Sequence, residues 1–150
     1  MSSPGDHAPV GYALALVAFA HRGRMQRLLA EQGLHLGQER VVFELAQTPG
    51  ISQTSLAARL GVEQPTVAKA VARMARQGLV RVEREGRGSR LFLTERGAGL
   101  LDGVVGCWRE VEDVMVRDLS ADERVQLRGL LRRCADNLTG KEPDDDGSRA

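Results

Sequence analysis

The sequence predicts a mainly α-helical fold with one small β-hairpin. Its 150 residues match one domain of ordinary size. Aromatic residues make up 3% of the chain although 42% is hydrophobic, so the core must be built from aliphatic side chains. Apolar residues recur at helical spacing along most of the chain, whereas strict alternation is confined to two short stretches after Gly78. We therefore expect about six helices and a single pair of strands.

Two helices are expected in the first third of the chain. The first spans residues 10–32 and stops at Gly33, and the second spans 37–47 and ends before Pro49 and Gly50. Their apolar faces are Leu14, Val17, Ala18, Met25, Leu28 and Leu29 on the first helix, and Val41, Val42, Leu45 and Ala46 on the second.

The next segment, "SLAARLGVEQPTVAKAVARMARQGLV", predicts two short helices in close succession. Ser52 is a suitable N-cap for the first, and Gly61 is a suitable left-handed stop. Pro65 falls in the first turn of the second helix, where its missing N–H leaves no bond unmade. A connection of about three residues is too tight for an antiparallel pair and is typical of a helix-turn-helix. The expected buried faces are Leu56, Ala57 and Leu60, then Val67, Val71 and Met74.

Two strands and two longer helices complete the chain. The stretches "LVRVERE" and "RLFLT" alternate around "GRGS" and predict a hairpin. Thr94 is expected to cap a long fifth helix, and Ser120 with Glu123 forms a capping box for a sixth. The apolar stripes are Leu101, Val104, Val105, Trp108, Val111 and Met115 on the fifth helix, and Leu127, Leu130, Leu131, Cys134 and Leu138 on the sixth.

The positive charge of the chain is concentrated in one segment. Residues 52–97 hold nine Lys/Arg and four Asp/Glu, a local net charge of +5, although the whole chain carries only +1. Such asymmetry is expected when one face of a protein meets a polyanion.

The second helix of the helix-turn-helix has the features of a DNA-reading helix, with an apolar face and a polar face. Its expected outward positions are Gln64, Thr66, Lys69, Ala70, Arg73 and Gln77. Glutamine pairs with adenine edges, and arginine and lysine reach guanine or phosphate in the major groove. Arginines at the hairpin tip suit a narrow minor groove. The alternative is that both features are solvated surface with no partner.

These residues resemble the MarR family of winged helix-turn-helix regulators over nearly the whole chain. The strongest markers are "ISQTSLAARLGV", "PTVAKAVARMARQGLV" and "LFLTERG". The resemblance implies an obligate homodimer, a pseudopalindromic double-stranded DNA operator, and repression relieved by a small effector or by oxidation. The chain departs from the family in placing Glu63 before the reading helix, and Glu85 and Arg87 in a shortened hairpin tip.

The resemblance divides the chain into functional segments. Residues 37–97 form the winged helix-turn-helix region, and 10–35 and 98–139 form the dimerisation helices. The two ends, 1–8 and 141–150, are rich in Pro, Gly, Ser and acidic residues and are expected to be flexible tails. The expected DNA contacts are Ser52, Gln53, Thr54, Gln64, Pro65, Thr66, Lys69, Arg73, Arg84, Arg87, Ser89 and Arg90.

A dimer is also expected on physical grounds, because one winged helix buries little of the apolar surface on the first, fifth and sixth helices. Gly99, Gly103 and Gly106 lie at spacings of four and three residues, and close approach of another helix would offset their cost of about 1 kcal/mol each. A two-fold axis would place two reading helices about 34 Å apart, one turn of DNA. The alternative is a single intramolecular bundle.

The expected effector site lies, by resemblance, between the first two helices and the winged region, and it takes aromatic carboxylates or other phenolic molecules. His21, Arg22 and His35 would supply its basic groups, and Met25 would form a wall. Each of these residues has the alternative of being merely exposed or packed.

Other functional classes find little support in the sequence. Thiol-oxidation sensing is the alternative signal, but a sensing thiol should be exposed, whereas Cys107 and Cys134 both look like small core residues. The three histidines are too dispersed for a metal motif, and no nucleophile with a base or phosphate loop predicts an enzyme or a cofactor. The longest apolar run, residues 12–20, is too short to span a bilayer, so a cytoplasmic protein is expected. A winged-helix module that binds protein rather than DNA is the remaining alternative.

Overall fold

The computed structural model describes residues 2–140. Within that range six helices contain eight residues or more, as predicted, and two further helices are single turns. The elements in order are α1 (Pro4–His7), α2 (Pro9–Glu31), α3 (Gln38–Gln47), β1 (Ile51–Ser52), α4 (Gln53–Leu60), α5 (Gln64–Arg76), β2 (Val80–Glu85), β3 (Gly88–Leu93), α6 (Glu95–Ala98), α7 (Leu101–Met115) and α8 (Ala121–Thr139). The single turn α1 lies inside the segment expected to be a flexible tail, and the tail at 141–150 lies outside the described residues.

The chain divides into two compact units, one ending at Glu112 and the other beginning at Asp113. The first unit contains one aliphatic core that draws on α2, α3, α4, α5, the strands and α7. Its largest fully buried side chains include Met25, Leu29, Leu45, Leu56, Met74 and Leu91. In the second unit, α8 begins with the predicted capping box, in which the Ser120 hydroxyl accepts from the Glu123 N–H.

The helix-turn-helix forms as its sequence predicts. The Ser52 Oγ accepts the Ser55 N–H at 3.1 Å and so caps α4. Gly61 follows α4 with φ +65°, a conformation that favours glycine, and Pro65 lies in the first turn of α5. Val67, Val71 and Met74 are buried, so α5 is fixed to the core along one side.

The hairpin is joined by a third strand that the sequence did not predict. Strands β2 and β3 pair antiparallel from Val80↔Leu93 to Glu85↔Gly88, which leaves a two-residue turn at the tip. Strand β1 pairs with the other edge of β3, giving the order β1-β3-β2. A strand of two residues shows no alternation, so nothing in its own sequence marks it.

The prediction of one long helix from Thr94 was wrong. The Thr94 hydroxyl does cap a helix, since its Oγ1 accepts the Gly97 N–H at 3.0 Å. That helix, α6, ends at Ala98, and α7 begins only at Leu101. On α7 Val104 and Val111 are buried as predicted, Leu101 and Val105 are half-buried, and Trp108 and Met115 are exposed.

The three glycines expected to form one stripe for a partner helix do not do so. Gly99 follows α6 and lies outside α7. A Cβ at Gly103 would lie 2.4 Å from the side-chain oxygen of Gln32. The space beside this glycine is therefore filled by a side chain of the same chain. Gly106 has open space around it.

Gly97→Ala is expected to destabilise the fold strongly. A Cβ at this position would lie 2.1 Å from the Leu79 carbonyl oxygen, which is backbone and cannot rotate away. We expect the free energy of unfolding to fall by about 3 kcal/mol, measured by chemical denaturation. Gly106→Ala is the matched control and should stabilise the chain by up to about 1 kcal/mol, because it gains helix propensity in open space. Equal stability of the two variants would contradict the close packing at Gly97.

Candidate nucleic-acid interface

The outer face of α5 is polar, exposed and directed away from the core. Gln64, Pro65, Thr66, Lys69 and Arg73 line this face, opposite the buried stripe of the same helix. Glu63 is the N-cap residue, and its side chain makes no capping bond, in keeping with its poor suitability for that position. The helix therefore presents a row of hydrogen-bonding groups on a rigid support.

The cations of this face are free to meet an external anion. Within residues 2–140 the salt bridges join Arg59 to Glu44, Arg81 to Glu83 and Arg90 to Glu85. Neither Lys69 nor Arg73 takes part in any of them. An unpaired surface cation binds phosphate without first giving up an internal partner.

Two of the positions predicted to point outward on α5 are wrong. Gln77 is half-buried, and its Oε1 accepts a hydrogen bond from the buried Gln38 Nε2 at 3.2 Å. Ala70 is half-buried as well. The backbone of Gln77 is still right-handed helical and its N–H donates to the Arg73 carbonyl, but this residue lies three positions after the buried Met74, at the edge of the buried stripe, where Gln38 holds its side chain inward.

Three of the expected DNA contacts belong to the N-cap and the first turn of α4, the helix that precedes α5. Thr54 is exposed, whereas Ser52 and Gln53 are half-buried. The Ser52 hydroxyl is already engaged, because it accepts the Ser55 N–H and donates to the Ser55 Oγ at 2.9 Å.

The hairpin arginines differ from one another. Arg84 and Arg87 are exposed and lie outside every salt bridge of the described chain, and Arg87 occupies the two-residue turn beside Gly86. Gly86 has φ +59°, so the turn depends on a glycine there.

Arg90 has a structural role that the sequence did not reveal. Its guanidinium donates to the Glu85 carboxylate across the hairpin and to the Gly50 carbonyl at 3.3 Å. Its neighbour Ser89 is half-buried.

The expected effector residues lie in different surroundings. Met25 is 1% exposed and belongs to the core, and the His21 ring packs against Trp108 with centroids 5.3 Å apart. Arg22 is exposed. His35 lines an open groove beside α5, together with Arg40 and Arg76, which the sequence did not single out as site residues.

The two cysteines also differ, and the prediction that both are core residues holds only for one. Cys107 is buried, and burial, followed by the charge of Glu110, raises the pKa of its thiol. A raised thiol pKa lowers the fraction of reactive thiolate. Cys134 is exposed, so the prediction that it is a core residue is wrong for the single chain. The apolar stripe of α8 to which it belongs is not covered by other residues of the described chain.

A buried carboxylate, Glu39, was missed by the sequence analysis because nothing in its spacing distinguishes it from a surface residue. It is 3% exposed and accepts the Gly37 N–H at 2.6 Å. Burial raises its pKa, and hydrogen bonds from the Glu39 and Gly37 backbone, followed by the charges of Arg40 and Arg22, oppose that rise.

Glu39→Gln is expected to stabilise the fold at neutral pH. Because the folded-state pKa of Glu39 lies above its ordinary value of 4.5, ionisation is harder in the folded chain, and stability is lost as pH rises from 4.5 through the folded pKa. Glutamine keeps an acceptor for Gly37 and carries no charge. The stability gain should therefore be present at pH 7, shrink as the pH falls through the folded pKa of Glu39, and be absent below pH 4.5, measured by denaturation across pH. The exposed Glu112→Gln is the control, and a Glu39→Gln protein less stable than wild type at pH 7 would refute this reading.

Comparisons with known proteins identify the chain. The sequence profile of the MarR family matches residues 32–91, from the end of α2 into β3. Transcriptional regulator HosA of Escherichia coli is 30% identical over 116 residues, which are 75% of this chain and 84% of HosA. This chain belongs to the MarR family.

Two further proteins place this MarR-family member among transcriptional regulators. The HTH-type transcriptional repressor NicR of Pseudomonas putida is 29% identical over 145 residues, covering 91% of this chain and 92% of NicR. The PcaV transcriptional regulator of Streptomyces coelicolor, solved with its natural ligand, superposes with a TM-score of 0.79 at 27% identity, covering 91% of this chain and 98% of PcaV. The relatives are regulators of transcription rather than enzymes. Among the helices of residues 2–140, none is both long and apolar enough to cross a membrane.

Proposed function

We propose that this MarR-family chain is a homodimeric repressor that binds a pseudopalindromic DNA operator through α5. The observation that carries the proposal is the outer face of α5, where Gln64, Thr66, Lys69 and Arg73 stand opposite a buried apolar stripe. A helix of this kind, anchored on one side and polar on the other, fits the major groove.

Each subunit contributes contacts from three elements. The proposed contact residues are Ser52, Gln53 and Thr54 before and within α4, Gln64, Pro65, Thr66, Lys69 and Arg73 on α5, and Arg84, Arg87, Ser89 and Arg90 on the hairpin. Within this set Arg84 and Arg87 are the hairpin arginines free to enter a minor groove, and Arg90 fixes the hairpin through Glu85 and Gly50.

The homodimer is supported by exposed apolar side chains at both ends of the chain. On α2, Phe19 is 82% exposed, and Val10, Leu16 and Val17 are exposed as well. On α8, the exposed apolar residues include Val125, Leu130, Leu131 and Leu138. Apolar patches of this kind mark association surfaces. We assign residues 10–35 and 98–139 to dimerisation and 37–97 to DNA binding.

Release by a small effector is supported by the likeness to PcaV, which was solved with its natural ligand, and to the repressor NicR. We propose an aromatic or phenolic molecule for this chain, with His21 and Arg22 on α2 as its polar contacts. Mutation of both residues should then abolish effector-induced release without altering DNA affinity.

Arg87→Gln tests the hairpin contact. If Arg87 binds a phosphate, its loss lowers the slope of log affinity against log salt by about one for each contact removed. The measurement is a salt titration of duplex binding, with Arg109→Gln on α7 as the control for general charge. An unchanged slope would remove Arg87 from the interface. Absence of binding to any duplex at low salt would favour a protein-interaction module instead.

A further inference from the structure

The first turn of α3 contacts the ends of both helices of the helix-turn-helix. Arg40 donates from its guanidinium to the carbonyl of Leu60, the last residue of α4, at 2.9 Å. Gln38 donates from Nε2 to the Oε1 of Gln77, the C-cap residue of α5, at 3.2 Å. One turn of a single helix therefore links the end of α4 to the end of α5.

The side chain of Gln38 is held on both of its polar atoms. It is 4% exposed, and its Oε1 accepts the His35 N–H at 3.0 Å, which leaves the amide nitrogen directed at Gln77. The neighbouring Glu39 accepts the Gly37 N–H at 2.6 Å, so two side chains of α3 close the turn that precedes it. A buried amide costs free energy when it lacks a partner, and the bond to Gln77 supplies one.

This hydrogen bond gives α5 a directional attachment that its apolar anchor lacks. Val67, Val71 and Met74 bury one side of the helix, but hydrophobic contact has no preferred direction and leaves the rotation of the helix about its axis loosely specified. Gln77 lies four positions after Arg73, about one helical turn. Holding Gln77 in place therefore sets the direction in which the Arg73 side chain leaves the helix.

We propose that Gln38 is a positioning residue for the DNA-reading helix, and that its bond to Gln77 sets the sequence preference of the protein by fixing the rotation of α5. Base contacts carry sequence preference and need that alignment, whereas phosphate contacts carry no sequence information directly. The effect on sequence preference rests on the proposed function of α5. The effect on the mobility of α5 does not.

The test substitutes Gln38→Met, which keeps the length of the side chain and removes both of its hydrogen bonds. Full-length protein is titrated with a duplex selected from a random pool and with the same duplex changed at one base pair in each half-site. The specificity ratio is the Kd for the changed duplex divided by the Kd for the selected duplex. It should fall roughly tenfold in Gln38→Met, while the slope of log affinity against log salt stays unchanged.

Two variants of Gln77 show whether the bond itself is responsible. Gln77→Met removes the acceptor and should lower the specificity ratio as much as Gln38→Met does. The double variant should lose no more than either single variant, because all three lack the same bond. Gln77→Glu keeps an acceptor for Gln38, so its added charge should weaken both duplexes together and leave the ratio unchanged.

Val42→Ala is the control for lost stability. Val42 is fully buried on α3, four positions after Gln38, so its truncation destabilises the same helix and leaves the Gln38–Gln77 bond in place. The specificity ratio of Val42→Ala should equal that of wild type. The proposal is overturned if Gln38→Met keeps the wild-type ratio, if Val42→Ala loses it equally, or if the losses at residues 38 and 77 add.

Hydrogen exchange without DNA gives a second readout. The N–H groups of Gly78 and Leu79 donate to the Ala75 and Met74 carbonyls and close the end of α5. In Gln38→Met they should exchange at least about tenfold faster, relative to the amides of α7 in the same protein, and in Val42→Ala they should not. Unchanged relative exchange in Gln38→Met would overturn the positioning role. If wild type binds no duplex, the proposed function fails while this measurement still decides whether Gln38 holds α5.

Discussion

The double substitution Lys69→Gln/Arg73→Gln is expected to weaken duplex binding by at least about a hundredfold. Each side chain supplies a charge-assisted hydrogen bond of about 1.5–3 kcal/mol, and a symmetric dimer loses two copies of each. Both residues lie on the outer face of α5 and outside every salt bridge of the described chain, so the fold should be unaffected. Fluorescence anisotropy with a selected duplex measures the loss.

The control for this prediction removes the same charge elsewhere. Arg109→Gln/Arg128→Gln changes two exposed arginines on α7 and α8. If the control loses affinity equally, general charge rather than the α5 face drives binding. A salt titration separates phosphate contacts of α5 from its base contacts. A lost phosphate contact lowers the slope of log affinity against log salt, whereas a lost base contact relaxes sequence preference.

Leu130→Glu is expected to dissociate the dimer and, with it, high-affinity operator binding. Leu130 is 55% exposed in the single chain, so a carboxylate there is hydrated in the monomer. In a symmetric interface two carboxylates would be buried, and we expect the dimer dissociation constant to rise by roughly a thousandfold. Sedimentation equilibrium measures the change, and circular dichroism checks that helix content is kept.

Gly129→Glu is the matched control, since it places the same charge on the side of α8 opposite the apolar stripe, where a side chain meets open space. Retention of a tight dimer by Leu130→Glu would remove α8 from the interface. A monomeric protein that still bound a palindromic duplex with full affinity would show that dimerisation and recognition are independent.

Residues whose role is decided by local chemistry were predicted well from the sequence. Gly61 and Pro65 fix the ends of two adjacent helices through backbone conformation alone, and the structure confirms both. Ser52 and the Ser120–Glu123 capping box were likewise recognised, because a cap depends only on the residues within one turn of it.

Residues whose role depends on a distant partner were not predictable in the same way. Gln77 turns inward to meet Gln38, which lies 39 positions away in the chain. The break between α6 and α7 accompanies the close contact of Gly97 with the Leu79 backbone, and a helical pattern continues through it.

The candidate site shows the same division. Helical spacing identified the outer face of α5, including Lys69 and Arg73, because face and spacing are linked within one helix. It did not identify the open groove that His35 lines beside α5, since that groove also needs Arg40 and Val41 of α3 and Leu60 of α4. Cys134 was misjudged because an apolar stripe indicates burial without specifying whether the covering surface belongs to the same chain.

We propose that two copies of α5 read one duplex together. Selection of bound duplexes from a random pool by the full-length protein tests this arrangement. We predict an inverted repeat whose half-site centres are about ten base pairs apart, one turn of DNA. Enrichment of a single asymmetric half-site, or of no sequence at all, would contradict the account.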